Sequence, residues 1–205
     1  MTTSIDPVAA VVRLRRDLAL PLDPQRGGPV ALDCFFEELQ LTHVALPALT
    51  VGQVVDYLRV NAIPIVQMGQ REEVLAGYLF AAGRVGWAFV NSDDILPRRR
   101  FSAAHELGHF LLHRDRMASV SFADTAESIS ENIETAEMKQ MEREANQFAV
   151  ELLMPSEVCR ERATSLRKKH GCCPCGVLAY RLAAELLVSR EAMRYRLKAL
   201  GVGDE

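Results

Sequence analysis

The sequence lacks the segments that would insert a chain into a membrane or export it. No apolar run approaches the about 18 residues that a transmembrane helix needs. The N-terminus, residues 1–7, has no basic stretch followed by an apolar one, which is the pattern of a secretory signal. We therefore expect a cytoplasmic protein with no membrane partner.

An even number of cysteines is also lacking. The chain has five, so they cannot all pair in disulfides. An odd count in a cytosolic protein argues against a disulfide framework. Cys172, Cys173 and Cys175 lie close to His170, which suggests a second metal site or a redox sensor. This run is too tight to form a four-ligand zinc cage alone, although Cys159 could add a thiolate. We favour a turn between two helices, with thiols that are reactive but carry no function.

A strong net charge is absent as well, since the formal value is −3, and this neither favours nor excludes nucleic acid as a partner. The charge is nevertheless uneven along the chain. Residues 114–151 hold nine acidic and four basic side chains, whereas residues 156–198 hold four acidic and ten basic ones. Solvated helix faces explain this pattern, and so does a basic C-terminal unit that docks on a partner or on phosphates.

One five-residue run carries most of the chemical information. His105 and His109 are four residues apart in a helix predicted over 101–113, so both imidazoles project from one face. That spacing allows two nitrogens to bind one zinc ion, and Glu106 can act beside it as a general base. Gly108 costs a helix about 1 kcal/mol relative to alanine, which is tolerated where something approaches the backbone closely. The run indicates a zinc-dependent hydrolase, most simply a peptidase, and the alternative is a surface helix with two solvated histidines.

A catalytic zinc usually has three protein ligands, and a helix predicted over 134–153 is the best source of the third. Glu142 and Asn146 share a face of this helix, which suits a carboxylate ligand with a polar residue that orients it. From spacing alone, Glu142 is equally compatible with being an ordinary solvated charge on the helix surface. Glu144 points about 200° away from Glu142 and is predicted to face solvent.

The remaining histidines are less informative. His113 lies about 12 Å from His105 along the helix axis, so these two residues cannot reach the same ion together with His109. We predict that His113 caps the helix or orients a ligand from the second shell of the metal. His43 and His170 have no motif around them and are predicted to be structural or exposed.

Three blocks over about residues 75–155 resemble the ImmA/IrrE family of zinc metallopeptidases. The order of the blocks, their spacing and the terminal Leu-Met-Pro all agree with the family. The blocks are the strand pair at 77–80 and 85–91, the run at 100–113 and the run at 142–155. The resemblance implies that Glu142, four residues before Asn146, is the third zinc ligand. Ala145 stands where such families often have cysteine.

The resemblance also implies a function. It points to a bacterial or phage endopeptidase that cleaves a transcriptional repressor, often of the helix-turn-helix type, in a stress, prophage or mobile-element response. Two alternatives stay open. One is a non-catalytic zinc-containing module that binds a protein partner. The other is a regulator that binds DNA through its C-terminal helices, although we expect the helix-turn-helix-like segment at 178–201 to be a packing module.

The expected fold is α+β, with a small mixed or antiparallel sheet packed on helices and a zincin-like pair of active-site helices. We expect an N-terminal helix and linker over 1–30, a metallopeptidase core over 31–155 and a C-terminal helical segment over 156–205. Helices are predicted at 7–20 and at 50–61, with Thr50 as a cap. Strands are predicted at 64–68, 74–81 and 85–91.

Three expectations concern the cleft. The polar connection at 114–132 is predicted to be mobile and to gate access. The strand at 85–91 is the candidate edge beside which a substrate backbone adds, the alternative being that it is central. An oxyanion donor is also expected, and spacing favours none of the candidates Tyr78, Arg100, Tyr180 and Tyr195.

Overall fold

The computed structural model describes residues 6–20, 28–65, 72–114, 122–125, 136–171 and 173–202. Over these residues the fold is α+β, as predicted, with eight helices and one four-stranded sheet. In chain order the elements are α1 Pro7–Asp17, α2 Asp33–Glu38, β1 Leu41–Leu46, α3 Val51–Val60, β2 Leu75–Ala82, β3 Val85–Asn91, α4 Leu96–His113, β4 Phe122–Thr125, α5 Ala136–Leu153, α6 Ser156–His170, α7 Cys175–Leu186 and α8 Arg190–Ala199. None of the described helices is long and apolar enough to cross a membrane.

Local sequence signals set several helix ends. Thr50 begins α3 with a capping box, in which its hydroxyl accepts from the backbone N–H of Gln53 and the Gln53 side chain accepts from the N–H of Thr50. Ser189 caps α8 by accepting from the N–H of Ala192 at 3.1 Å. Gly201 follows α8 with φ +63°, a left-handed conformation that suits glycine. The predicted cap at Thr50 is confirmed.

The sheet has the strand order β1-β3-β2-β4. Strand β1 runs parallel to β3, whereas β2 pairs antiparallel with both β3 and β4. The predicted strands at 74–81 and 85–91 are confirmed as β2 and β3. Residues 64 and 65 are not in a strand, which contradicts the start of the predicted strand at 64–68, and the rest of that strand lies outside the described residues.

Strand β3 is central, so the prediction that it is the edge beside which a substrate adds is wrong. The reason is β1, which sequence analysis did not detect and which pairs with β3 from Leu41↔Gly86 to Leu46↔Asn91. Part of the predicted connection at 114–132 also forms a strand, because β4 pairs with β2. Residues 115–121 and 126–132 lie outside the described part of the chain, so the mobility of the connection stays a prediction.

The two faces of the sheet pack against different helices. Leu79, Ala88 and Val90 face α4 and belong to the same core as Phe110. Tyr78 and Phe89 alternate with them and belong to a second core with the apolar side chains of α3. This alternation follows from the two-residue period of a strand, and it places α4 on one defined face of β2 and β3.

The C-terminal helices share the main core with α4 and α5. Leu178, Leu182 and Met193 are buried in the same cluster as Leu107 and Phe148. The predicted division of the chain at residues 30 and 155 stays a prediction.

A buried ion pair joins α5 to α8. The Arg196 guanidinium pairs with Glu151, and Nε of Arg196 donates to the carbonyl oxygen of Met154 at 2.9 Å. The other oxygen of Glu151 accepts from the backbone N–H and the hydroxyl of Ser156, both at 3.0 Å, at the start of α6. One carboxylate therefore links three helices.

Replacing either partner of this pair should destabilise the fold. Glu151→Leu or Arg196→Met should each lower the free energy of unfolding by about 3–5 kcal/mol, because an uncompensated charge stays buried. Chemical denaturation measures the effect. The control is Glu185→Gln, which removes the charge of a pair with Arg162 whose side chains are 27% and 26% exposed and should cost about 1 kcal/mol or less. Equal losses at both pairs would contradict this prediction.

Candidate metal centre

Helices α4 and α5 pack closely against each other. A Cβ atom added at Gly108 would lie 3.0 Å from the Phe148 ring and 3.3 Å from the backbone of Ala145. The glycine on α4 and the small residue on α5 therefore let the two backbones come together. This supports the interpretation of Gly108 as a point of close contact.

Three side chains from these helices converge. Nε2 of His105 lies 2.9 Å from Nε2 of His109. One oxygen of Glu142 lies 3.2 Å from Nε2 of His105, and the other lies 3.1 Å from Nε2 of His109. Each residue offers one ligand atom, and these atoms lie within 4.8 Å of one another, so the cluster could hold a metal ion. Among the described residues, no other histidine, cysteine and carboxylate side chains form such a group.

The electrostatics of the cluster suit a cation. Burial lowers the pKa of His109 to about 4, although the Glu142 carboxylate acts in the opposite direction. Burial alone would raise the pKa of Glu142, but its interactions with His105 and His109 outweigh this and hold that pKa well below its usual range. At neutral pH the imidazole of His109 is neutral and the carboxylate is ionised, which are the forms that bind metals.

Glu106 lies beside the cluster and is not part of it. The residue is buried on α4, and its carboxylate lies against the backbone of β2. A Cβ atom added at Gly77 would overlap Oε1 of Glu106 and come within 3.3 Å of its Cδ. The absence of a side chain at Gly77 therefore makes the room in which this carboxylate sits.

The model of the IrrE N-terminal-like domain, peptidase family M78, matches residues 71–198. The chain belongs to this family. No curated protein matches the sequence significantly.

Membership confirms the resemblance to the ImmA/IrrE family and makes this protein a member of a metallopeptidase family. The matched region contains Glu106 and all three residues of the cluster, together with α5 to α7 and nearly all of α8. The C-terminal helices are therefore largely part of the family domain.

Gly77→Ala should impair the M78 site without removing its metal ligands. The new methyl group would displace the Glu106 carboxylate, and a misplacement of about 1 Å can cost about 10²-fold in rate. We expect kcat/KM to fall by about that factor while metal content stays at the wild-type value. The control is Gly52→Ala, because a Cβ atom there meets only Oγ1 of Thr50, at 3.7 Å. Unchanged activity in Gly77→Ala would show that Glu106 tolerates displacement.

Glu144 does not face solvent, so that prediction is wrong. The residue is only 5% exposed, and its Oε2 lies 2.9 Å from Nε2 of His113. An angle of about 200° around the helix does not decide burial, because Glu144 still meets His113 at the end of α4. The ring of His113 is buried, and its Nδ1 lies 3.2 Å from Nδ1 of His109.

The other candidate residues have varied surroundings. Asn146 is exposed, and its role in orienting Glu142 stays a prediction. His43 and His170 are exposed, as expected for residues outside the site. Burial raises the pKa of the Cys159 thiol to about 11, so it is not a thiolate at neutral pH. Cys173 is buried, and Cys172 lies outside the described residues.

The candidates for an oxyanion donor are also dispersed. Tyr78 belongs to the core on the α3 face of the sheet, opposite the face that carries α4. The Arg100 guanidinium donates to the carbonyl oxygen of Val30 at 2.9 Å. Tyr180 and Tyr195 are exposed on α7 and α8. None of these surroundings favours an oxyanion role.

Proposed function

We propose that this protein is a zinc-dependent endopeptidase that cleaves a transcriptional repressor or another regulatory protein in a stress, prophage or mobile-element response. The observation that carries the proposal is the convergence of His105, His109 and Glu142 with Glu106 buried beside them. Membership of a metallopeptidase family supports it. A regulatory substrate of this kind places the reaction in the cytoplasm.

The geometry supports zinc as the metal. Ligand atoms about 2.0–2.1 Å from a tetrahedral ion lie about 3.3 Å from one another. The two histidine nitrogens are 2.9 Å apart, and one Glu142 oxygen lies 3.1 Å from His109 while the other lies 3.2 Å from His105, which are separations of similar size. Two imidazoles and one carboxylate, with the fourth position open to water or substrate, are also a common ligand set of catalytic zinc.

Glu106 is the residue to which we assign the chemistry. Zinc, when bound, lowers the pKa of a coordinated water to about 7 and polarises a carbonyl group. Glu106 follows His105 in the chain on the same helix, and it is not one of the three residues of the cluster. We assign it the removal of a proton from the attacking water and the delivery of that proton to the leaving amine.

The strand order suggests where a substrate backbone binds. Strand β4 forms one edge of the sheet and pairs with β2, with Asp124 opposite Gly77, the residue against which Glu106 packs. The pairing shifts register between Leu75 and Gly77, and such bulges are frequent beside active sites. We place the substrate as an added strand beside β4. The other edge strand, β1, lies against α2.

The alternatives have less support. A module that only binds a partner has no need of a carboxylate buried next to the cluster, as Glu106 is. A DNA-reading role for α8 would use its basic side chains, and Arg190, Arg194 and Lys198 are exposed. Arg196, however, pairs with Glu151 and holds α8 against α5. That contact favours packing as the role of these helices.

The test is cleavage of a purified helix-turn-helix repressor. The repressor is incubated with the zinc-loaded protein, and the products are analysed by mass spectrometry. One defined cut that disappears with a chelator and returns with zinc supports the proposal. Intact repressor together with a stoichiometric complex would favour the binding module.

A further inference from the structure

We propose that His113 and Glu144 form a relay that positions His109 as a metal ligand by fixing which of its nitrogens carries the proton. The inference rests on the zinc site proposed above and concerns two residues outside the ligand set. The contacts run in series, from His109 Nδ1 to His113 Nδ1 at 3.2 Å and from His113 Nε2 to Glu144 Oε2 at 2.9 Å.

The far end of the relay is itself held in place. Nε2 of Gln140 donates to Oε1 of Glu144 at 2.8 Å, and Oε1 of Gln140 accepts from the Arg143 guanidinium at 2.8 Å. These residues lie on successive turns of α5, so their spacing is set by the helix. The carboxylate of Glu144 is thereby oriented toward His113.

The proton positions follow from the chemistry of each group. An ionised carboxylate only accepts hydrogen bonds, so the proton of the His113 ring is on Nε2, which faces Glu144. In a ring with that one proton, Nδ1 is an acceptor. His109 therefore carries its proton on Nδ1, and its Nε2 presents a lone pair to His105 and Glu142, as a metal ligand requires.

The reverse arrangement is incompatible with the site. If His113 donated from Nδ1, the neutral ring of His109 would carry its proton on Nε2, where the metal has to bind. A partner that receives the other N–H of a ligating histidine is a recurrent feature of metal sites, and here that partner is a second histidine backed by a carboxylate.

Both residues of the relay, His113 and Glu144, are buried. His113 and Glu144 are 1% and 5% exposed, so their hydrogen bonds face little competition from water. A buried polar pair is often no more stabilising than an apolar pair of similar volume. Stability alone is therefore a weak reason for these two residues, whereas orientation of His109 gives each of them a defined role.

The experiment measures zinc affinity by competition with a chelator. The double variant His113→Phe/Glu144→Leu removes both partners together, so that no charge is left buried, and we expect it to bind zinc about 10- to 100-fold more weakly. Glu144→Gln keeps an oxygen that can accept from His113 and should retain most of the affinity. Denaturation of each variant reports its stability separately.

Glu151→Gln is the matched control. It alters another buried glutamate two turns further along α5, which pairs with Arg196 and not with a histidine. It should lower stability but leave zinc affinity at the wild-type value. Zinc binding by the double variant within about 3-fold of wild type would overturn the relay, as would an equal loss of affinity in Glu151→Gln. Wild-type protein that binds zinc but cleaves nothing would overturn the proposed function alone.

Discussion

Glu106→Gln should lower kcat/KM for the cleaved substrate by about 10²–10⁴-fold, the usual contribution of a general base. Glutamine has nearly the same shape as glutamate but cannot take a proton from water. Because Glu106 lies beside the cluster and is not one of its three ligand residues, zinc content should stay at the wild-type value. The measurements are cleavage kinetics and metal analysis on the same preparation.

The buried position of Glu106 makes a control necessary. Gly77→Ala displaces the same carboxylate without changing its chemistry and should give a smaller loss than Glu106→Gln. Denaturation curves establish that both variants are folded. Cleavage by Glu106→Gln at the wild-type rate would show that another group is the base, and it would remove the main argument against a module that only binds its partner.

Glu142→Ala should weaken zinc binding by more than the 10- to 100-fold expected for loss of a residue that only orients a ligand, because Glu142 is proposed to bind the metal directly. The carboxylate lies 3.1–3.2 Å from the ligand nitrogens of both histidines, so it completes the set. Metal analysis after dialysis and chelator competition measure the loss. His105→Ala should behave in the same way.

The control for this variant lies on the same helix. Glu137 is exposed in the first turn of α5, and Glu137→Ala should leave zinc affinity unchanged. Full zinc binding by Glu142→Ala would contradict the ligand assignment. Glu144 would then be a poor replacement, since its carboxylate is engaged by His113 and Gln140.

These predictions share one structural cause, which is the close contact of α4 and α5. Gly108 and Ala145 bring the helices together, and this contact places Glu142 opposite His105 and His109, and Glu144 opposite His113. A single interface thus supplies the proposed third ligand and the proposed partner of the second ligand.

Several features could be predicted from sequence because they depend on neighbours in the chain. The helix predicted over 101–113 is local, as is the four-residue spacing of its histidines, although the structure begins this helix earlier, at Leu96. The capping box at Thr50 and the paired strands β2 and β3, with Gly83 at φ +66° in the turn between them, are local as well. The proposed third ligand was harder to predict. Spacing alone left Glu142 equally compatible with a solvated charge, and only the family resemblance selected it.

Other features were missed because they depend on contacts between distant segments. Strand β1 is six residues long, with Leu41, Val44 and Leu46 as its larger apolar side chains, a spacing that does not separate a strand from a helix. Strand β4 lies in a polar stretch whose pairing with β2 decides its structure. The central position of β3 and the burial of Glu144 follow from the same kind of contact.

By itself, the sequence determined which groups could do chemistry, because the backbone of a helix holds His105, Glu106 and His109 at fixed relative positions. The tertiary structure decided what those groups meet. Whether Glu142 reaches the histidines, whether Glu144 is solvated or buried, and which strand forms the edge all depend on how faces far apart in the chain pack together. Packing of that kind depends on the shape and volume of many side chains at once, whereas the ligand spacing depends on one turn of one helix.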